Sequence, residues 1–324
     1  MRTLLFTLAA ILICIAAKAA TSYTVNVVYN GTTATITIPS EVSGYVTCMS
    51  GTSSHVKLVQ TSTSANNPGE IIYALSGSSD DGEFYFMGDY KATLQLKGLT
   101  LTNPDSTAIH IKDGKRIKIS MENGTTNTLA DGTKDEESKG CIHVKGHTEF
   151  VGKGTLNVVS NIRHAIYSKE YIELKNCTIN VKGAKKDGIH CQQYFRMTSG
   201  VVNISDVEDD GIRVELKGET PTAGSDTVDE DTGNFYMTGG ELTINNVGAK
   251  CIKTDGTITY SGGTQNFELT NTEQNASAIN AVSVQKDGVE SIFDLSGRQV
   301  PESQLSKGVY IIKRAGKTQK VLIK

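Results

Sequence analysis

The chain has 324 residues, 32 basic and 35 acidic, for a formal net charge of −3, with 38% hydrophobic residues. That slightly acidic balance argues against general nucleic-acid binding, and no apolar run long enough to cross a bilayer occurs after residue 20. Residues 1–20, MRTLLFTLAAILICIAAKAA, place Arg2 before an apolar run that ends in small residues, as a secretory signal peptide does. Removing Arg2 and Lys18 with it leaves 30 basic against 35 acidic residues, a mature charge of −5. The remaining cysteines, Cys48, Cys141, Cys177, Cys191 and Cys251, are odd in number and lack CxxC spacing, so they read as buried core thiols rather than disulfides or zinc ligands.

From 21 to 107, the phrases YTVNVVY, ATITIP, EIIYAL, EFYFM and TLQLKGLTLT alternate in polarity and predict an N-terminal cap followed by first coils. A repeat then runs over 108–271. Its marker is an isoleucine followed by a polar residue, at Ile109, Ile142, Ile166, Ile189, Ile212 and Ile252, with steps of 33, 24, 23, 23 and 40 residues. A basic unit of about 23 residues with tolerated insertions is a solenoid pattern. The inserts are placed at 121–139 and 215–233.

Each unit adds two more apolar-polar-apolar triplets, such as Phe195-Arg196-Met197 and Val202-Asn203-Ile204. Three period-2 strands per unit, divided by Gly, Asn and Asp turns, predict an all-β right-handed parallel β-helix of three-stranded coils. A linker is expected over 272–284.

Equivalent residues of successive coils stack about 4.8 Å apart, so the alignment becomes geometry. Two positions before the isoleucines stand Thr107, Gly140, His164, Asp187, Asp210 and Lys250. One position earlier stand Ser106, Lys139, Arg163, Lys186, Asp209 and Ala249. Asp187 and Asp210 should therefore be neighbours, with Asp209 and Glu208 beside them. Their repulsion can be relieved by Lys186 and Lys250, by protonation, or by Ca²⁺, which suits carboxylate oxygens on a loop.

After the isoleucines stand His110, His143, Tyr167, His190, Arg213 and Lys253. By alternation these are expected on the outside, where rings could stack on sugars and Arg213, with Lys253 and Lys250, could pair with uronate carboxylates.

Two resemblances rest on longer phrases. Lys186-Asp187-Gly188-Ile189-His190 and Asp209-Asp210-Gly211-Ile212-Arg213, with Gly239-Gly240-Glu241-Leu242-Thr243-Ile244, resemble the calcium-containing parallel β-helix carbohydrate-binding domain family, whose fold is similar to that of pectate lyases. The resemblance covers about residues 85–270. It implies binding of acidic plant polysaccharide and calcium contacts from Asp187, Asp209 and Asp210. The chain departs from the family phrase at Lys186, where a second Asp is usual, and at Arg213, where His is usual.

Over 285–324, Ile292-Phe293-Asp294-Leu295-Ser296-Gly297-Arg298, Lys307-Gly308-Val309-Tyr310-Ile311 and Lys320-Val321-Leu322-Ile323-Lys324 resemble the type A C-terminal sorting domain of the type IX secretion system of Bacteroidetes. That implies a small β-sandwich, recognition by the type IX machinery, and release or attachment at the cell surface.

The leading expectation is a secreted or surface-bound, monomeric, non-catalytic binder of pectic, polygalacturonate-like glycan assisted by Ca²⁺. A calcium-dependent polysaccharide lyase is the first alternative. Its base would be Lys250, Lys186 or Arg213, since elimination needs calcium and a basic side chain. A structural adhesin is the second. Hydrolysis fits poorly, because stacked Asp187 and Asp210 are too close for the inverting geometry.

Overall fold

A computed structural model describes residues 23–133, 138–216, 232–268, 289–295, 298–301, 304–314 and 317–323. The signal segment and the 272–284 linker lie outside them.

The described chain is all-β, and its coils stack in parallel with three strands each. The first row is Ile109–Ile111, Gly140–Val144, His164–Ser168, Ile189–Cys191, Ile212–Val214 and Ile252–Thr254. Its register pairs Ile109, Ile142, Ile166, Ile189, Ile212 and Ile252 in a single line, across both long steps. The second row runs Ile117–Met121, Thr148–Gly152, Ile172–Leu174, Tyr194–Met197, Asn234–Met237 and Ile258–Tyr260. The third runs Thr126–Asp131, Thr155–Ser160, Thr178–Ala184, Val201–Val207, Glu241–Val247 and Thr264–Phe267.

The second and third rows belong to one sheet because Ala92–Asn103 spans both. Its first half pairs with Ile117–Met121 and its second half with Thr126–Asp131. Thr126–Asp131 is thus a regular third strand, and the expected insertion at 121–139 begins only after it.

Parallel stacking also continues upstream of the repeat. Glu83–Met87 and His55–Gln60 extend the first row, while Ile71–Ser79 and Thr24–Asn30 extend the other sheet. Antiparallel partners close this end: Thr33–Thr37 on Thr24–Asn30, and Val46–Cys48 on His55–Gln60.

Inward positions of all three rows form one continuous core, with the ladder isoleucines almost fully buried. The thiols of Cys141, Cys177, Cys191 and Cys251 are free and buried there. On the third row an amide ladder adds to the stack: Asn180 Nδ2 donates to Asn157 Oδ1 at 2.9 Å and Asn203 Nδ2 to Asn180 Oδ1 at 2.8 Å. Ile212 packs between the Ile189 and Ile252 coils. Ile212→Ala should therefore cost about 2–5 kcal/mol as a cavity penalty, read as a lowered melting temperature; an unchanged melting curve would contradict the packing.

The C-terminal residues form an antiparallel sheet of Val289–Asp294, Gly308–Arg314 and Lys317–Ile323. Ile292, Tyr310, Ile312 and Val321 make its own small core. Among the described residues this is a single three-stranded sheet, not the two layers of the expected sandwich.

Candidate functional site

The turn that enters the first row carries the site, and a stacked irregularity aims it. Near the ends of successive third-row strands, Gly183, Asp206 and Asn246 occupy equivalent positions with positive φ, at 135°, 60° and 47°. Gly, Asp and Asn tolerate this backbone better than other residues. Asn246 Nδ2 also donates to Asp206 Oδ1 at 2.5 Å. After this bend Ala184, Val207 and Val247 turn inward, and the next residues lead to Asp187, Asp210 and Lys250.

The column two positions before the isoleucines is a chain of side-chain acceptors, each taking the amide of the next coil. His164 Nδ1 accepts from Asp187 N at 3.3 Å, Asp187 Oδ1 from Asp210 N at 3.1 Å, and Asp210 Oδ1 from Lys250 N at 3.0 Å. This explains why buried polar side chains are tolerated here: each pairs a backbone N–H that the bend would otherwise orphan.

Asp187 is 4% exposed and Asp210 1%. The Asp187 Oδ2 accepts from His190 Nδ1 at 2.8 Å and lies 3.2 Å from His164 Nδ1. Burial pushes its carboxyl up, but the two imidazoles outweigh that and hold it well below the usual range. Asp210 Oδ2 is 3.2 Å from Lys253 Nζ. There burial outweighs the Lys250 amide and the Lys253 ammonium, so the Asp210 carboxyl is raised. The two carboxylates are therefore relieved chiefly by His190, whose Nδ1–H donates to Asp187, and by Lys253 beside Asp210, while His164 Nδ1 is taken up by the Asp187 amide. The expectation named Lys186 and Lys250, but Lys250 contributes its backbone N–H and its side chain is not part of the cleft lining.

The column after the isoleucines is in register as expected, yet it is not a free outer face. His110 and His143 stack at 4.6 Å, Tyr167 meets His143 edge-on at 5.1 Å, and His190 stacks on Tyr167 at 5.2 Å. Rings at coil spacing cover one another, so Tyr167 and His190 are buried. Burial, then the neighbouring His110 and Lys139, pushes the His143 imidazole down to about 3. The column also extends upstream to Tyr85, edge-on to His110 at 5.1 Å, with Lys57 Nζ 5.7 Å from the Tyr85 ring. Neither residue was expected in it.

The two cations of this column are committed. Arg213 reaches Asp255 at 2.6 Å and Glu215 at 3.5 Å and its side chain is 13% exposed, while Lys253 holds Asp210. Pairing with ligand carboxylates, as expected for Arg213 and Lys253, would compete with these bonds.

A cleft of about 260 Å³ opens over these columns. Its lining includes Lys139, Arg163, His164, Tyr167, Lys186, Asp187, His190, Asp209, Asp210, Arg213 and Lys253. His143 and Lys250 are not among the lining residues, and Glu208 turns away to an exposed ion pair with Lys185 at 2.5 Å. His164 belongs to the site, although the sequence reading placed it in this column without giving it a role.

Among the described residues two groups could hold a cation. Asp187, Asp209 and Asp210 bring oxygens within 4.8 Å of one another, and His164, Asp187 and His190 do the same with two nitrogens and an oxygen. A second groove, of about 480 Å³, lies over the second row beside Glu149, Glu173, Lys175 and Arg196. Next to it His147, Tyr171 and Tyr194 stack at 4.4 and 4.8 Å.

Comparison with known proteins agrees with this architecture. A solved polysaccharide lyase-like protein from C. thermocellum, in a gadolinium derivative, superposes with a TM-score of 0.58 over 82% of this chain and 98% of that one, at 19% identity, a likeness of fold. A carbohydrate-binding domain-containing protein of Acetivibrio thermocellus is 28% identical over 120 residues, 34% of this chain and 42% of that relative, so the match spans less than half of the relative's length. The family described as "Carbohydrate-binding domain-containing protein" matches residues 60–300, from the first coils into the C-terminal region, and the chain belongs to that family.

Proposed function

We infer that this is a non-catalytic polysaccharide-binding protein that holds an acidic, polygalacturonate-like glycan in the cleft, with Ca²⁺ assisting. The observation that carries the reading is the cleft itself, where columns of carboxylates, imidazoles and cations stand in register on successive coils. A regular array suits a regular polymer.

The donor set fits a hard cation. Asp187, Asp209 and Asp210 supply oxygen ligands, and Asp210 Oδ2 is buried without a hydrogen-bond partner among the described residues, facing the Lys253 ammonium. When bound, calcium would supply positive charge that bridges glycan carboxylates to the acidic column, and it would compete with Lys253 for that oxygen.

Two of the three candidate bases are poorly placed for elimination, since Arg213 is held by two acids and Lys250 lies outside the cleft lining; Lys186, which lines the cleft, is the base that the product assay below tests. Delivery to the cell surface through type IX sorting of the C-terminal sheet is part of the same proposal, supported by the sorting-type phrases at 292–298, 307–311 and 320–324.

The test is to incubate the purified mature chain with polygalacturonate and calcium, following both retention on the polymer and absorbance of unsaturated product. Retention that weakens with chelator, with no rise in absorbance, is expected. Unsaturated product would make the protein a lyase, and no retention on any glycan would leave a structural surface role.

A further inference from the structure

Resting on the glycan-binding reading, the geometry points to the column Lys139, Arg163 and Lys186 as the element that selects carboxylate-bearing glycans over neutral ones. These residues stand one per coil, three positions before the ladder isoleucines, and all three line the cleft. Lys186 N donates to the Arg163 carbonyl at 2.8 Å, which holds these two coils in register.

Among the described residues none of the three makes an ion pair, whereas the cations of the neighbouring column, Arg213 and Lys253, are neutralised by acids of the fold. Among the described residues Arg163 Nε has no hydrogen-bond partner, although it is buried. Three like charges at coil spacing repel one another, and among the described residues no acid forms an ion pair with any of them. An anionic polymer lying along the coil axis supplies the missing partners, one carboxylate per coil, and the Arg163 fork can take a carboxylate with two parallel bonds. The column ends at Asp209, one of the carboxylates proposed above to hold the cation, so one end of the cleft would attract carboxylates directly and the other through that cation.

The experiment measures affinity for three polymers: polygalacturonate, its methyl ester and dextran. The proteins are the wild type, Lys139→Gln, Arg163→Gln, Lys186→Gln, the triple variant, and a control triple variant at the exposed Lys91, Lys153 and Lys182 with the same change in net charge. Each single cleft substitution should weaken polygalacturonate binding about five- to tenfold, and the triple about a hundredfold or more, with a shallower salt dependence. Methyl-ester binding should change less than twofold, and the control triple should bind polygalacturonate as the wild type does. A cleft triple that keeps wild-type affinity, or a control triple that loses as much, overturns the column's role while the glycan site stands. So does a wild type that binds the ester as tightly as the acid. A wild type that binds none of the polymers overturns the glycan reading and the column with it.

Discussion

Asp187→Ala is expected to lower stability by about 3–5 kcal/mol, the usual cost of removing one partner from a buried charged network. The side chain has three tasks in the fold. Its Oδ1 takes the Asp210 amide, its Oδ2 takes the His190 Nδ1–H, and the same oxygen faces His164. Truncation leaves a buried N–H and a buried ring without acceptors at the bend that shapes the cleft. Asp187→Asn keeps an oxygen for the amide and should lose less.

The pH dependence separates charge from shape. Because the folded carboxyl is held below its unfolded value of about 3.9, its stabilisation is present above that pH and lost as pH falls further, toward the folded value. The advantage of wild type over the Asn variant in melting temperature should therefore be full at neutral pH and shrink below about pH 4. An advantage that does not vary with pH would mean that Asp187 acts by shape alone.

His143→Phe should make the protein less sensitive to acid. The ring lies between His110 and Tyr167, and among the described residues its buried Nδ1 has no hydrogen-bond partner, so a phenyl group keeps the ring contacts and gives up no bond to them at that atom. Burial holds the folded imidazole down at about 3, while the unfolded one titrates near 6.5. The unfolded state therefore takes up a proton first as pH falls below about 6.5, and stability is lost progressively toward pH 3. Allowing for partial exposure, the wild type should lose about 2–3 kcal/mol between pH 7 and pH 4 that the Phe variant does not. Melting temperatures across that range check this, and parallel curves would contradict it.

The stacking register was legible in the sequence because three of the five steps between inward isoleucines are 23 or 24 residues, the two longer ones carry insertions, and a period-2 strand leaves little choice of face. The line of isoleucines survives even the step of 40 from Ile212 to Ile252, where much of the intervening chain lies outside the described residues. Orientation after the isoleucine was less legible. Alternation says that Tyr167 and His190 leave the core, but it does not say that rings one coil apart shield one another.

The partners of Arg213 were hidden for another reason. Asp255 lies 42 residues along the chain, in the turn after the strand that pairs with Arg213's own, and turns do not align by period. His164 could have been found: it shares a column with Asp187 and Asp210, and a side-chain acceptor at that position caps the next coil's amide whether it is a carboxylate or an imidazole. The tyrosines beside the second groove sit at strand entries, where polarity patterns carry little information.

The central claim is that the acidic and cationic columns of the first-row turn form the glycan site, and lysine acetylation of the intact protein with and without polygalacturonate, read by mass spectrometry, tests it directly. Lys139 and Lys186 line the cleft, whereas Lys118 and Lys175 belong to the second-row side of the molecule. Polygalacturonate should protect Lys139 and Lys186 from acetylation and leave Lys118 and Lys175 as reactive as in the free protein. Protection of Lys118 and Lys175 instead, or of none of the four at saturating polymer, would contradict the account.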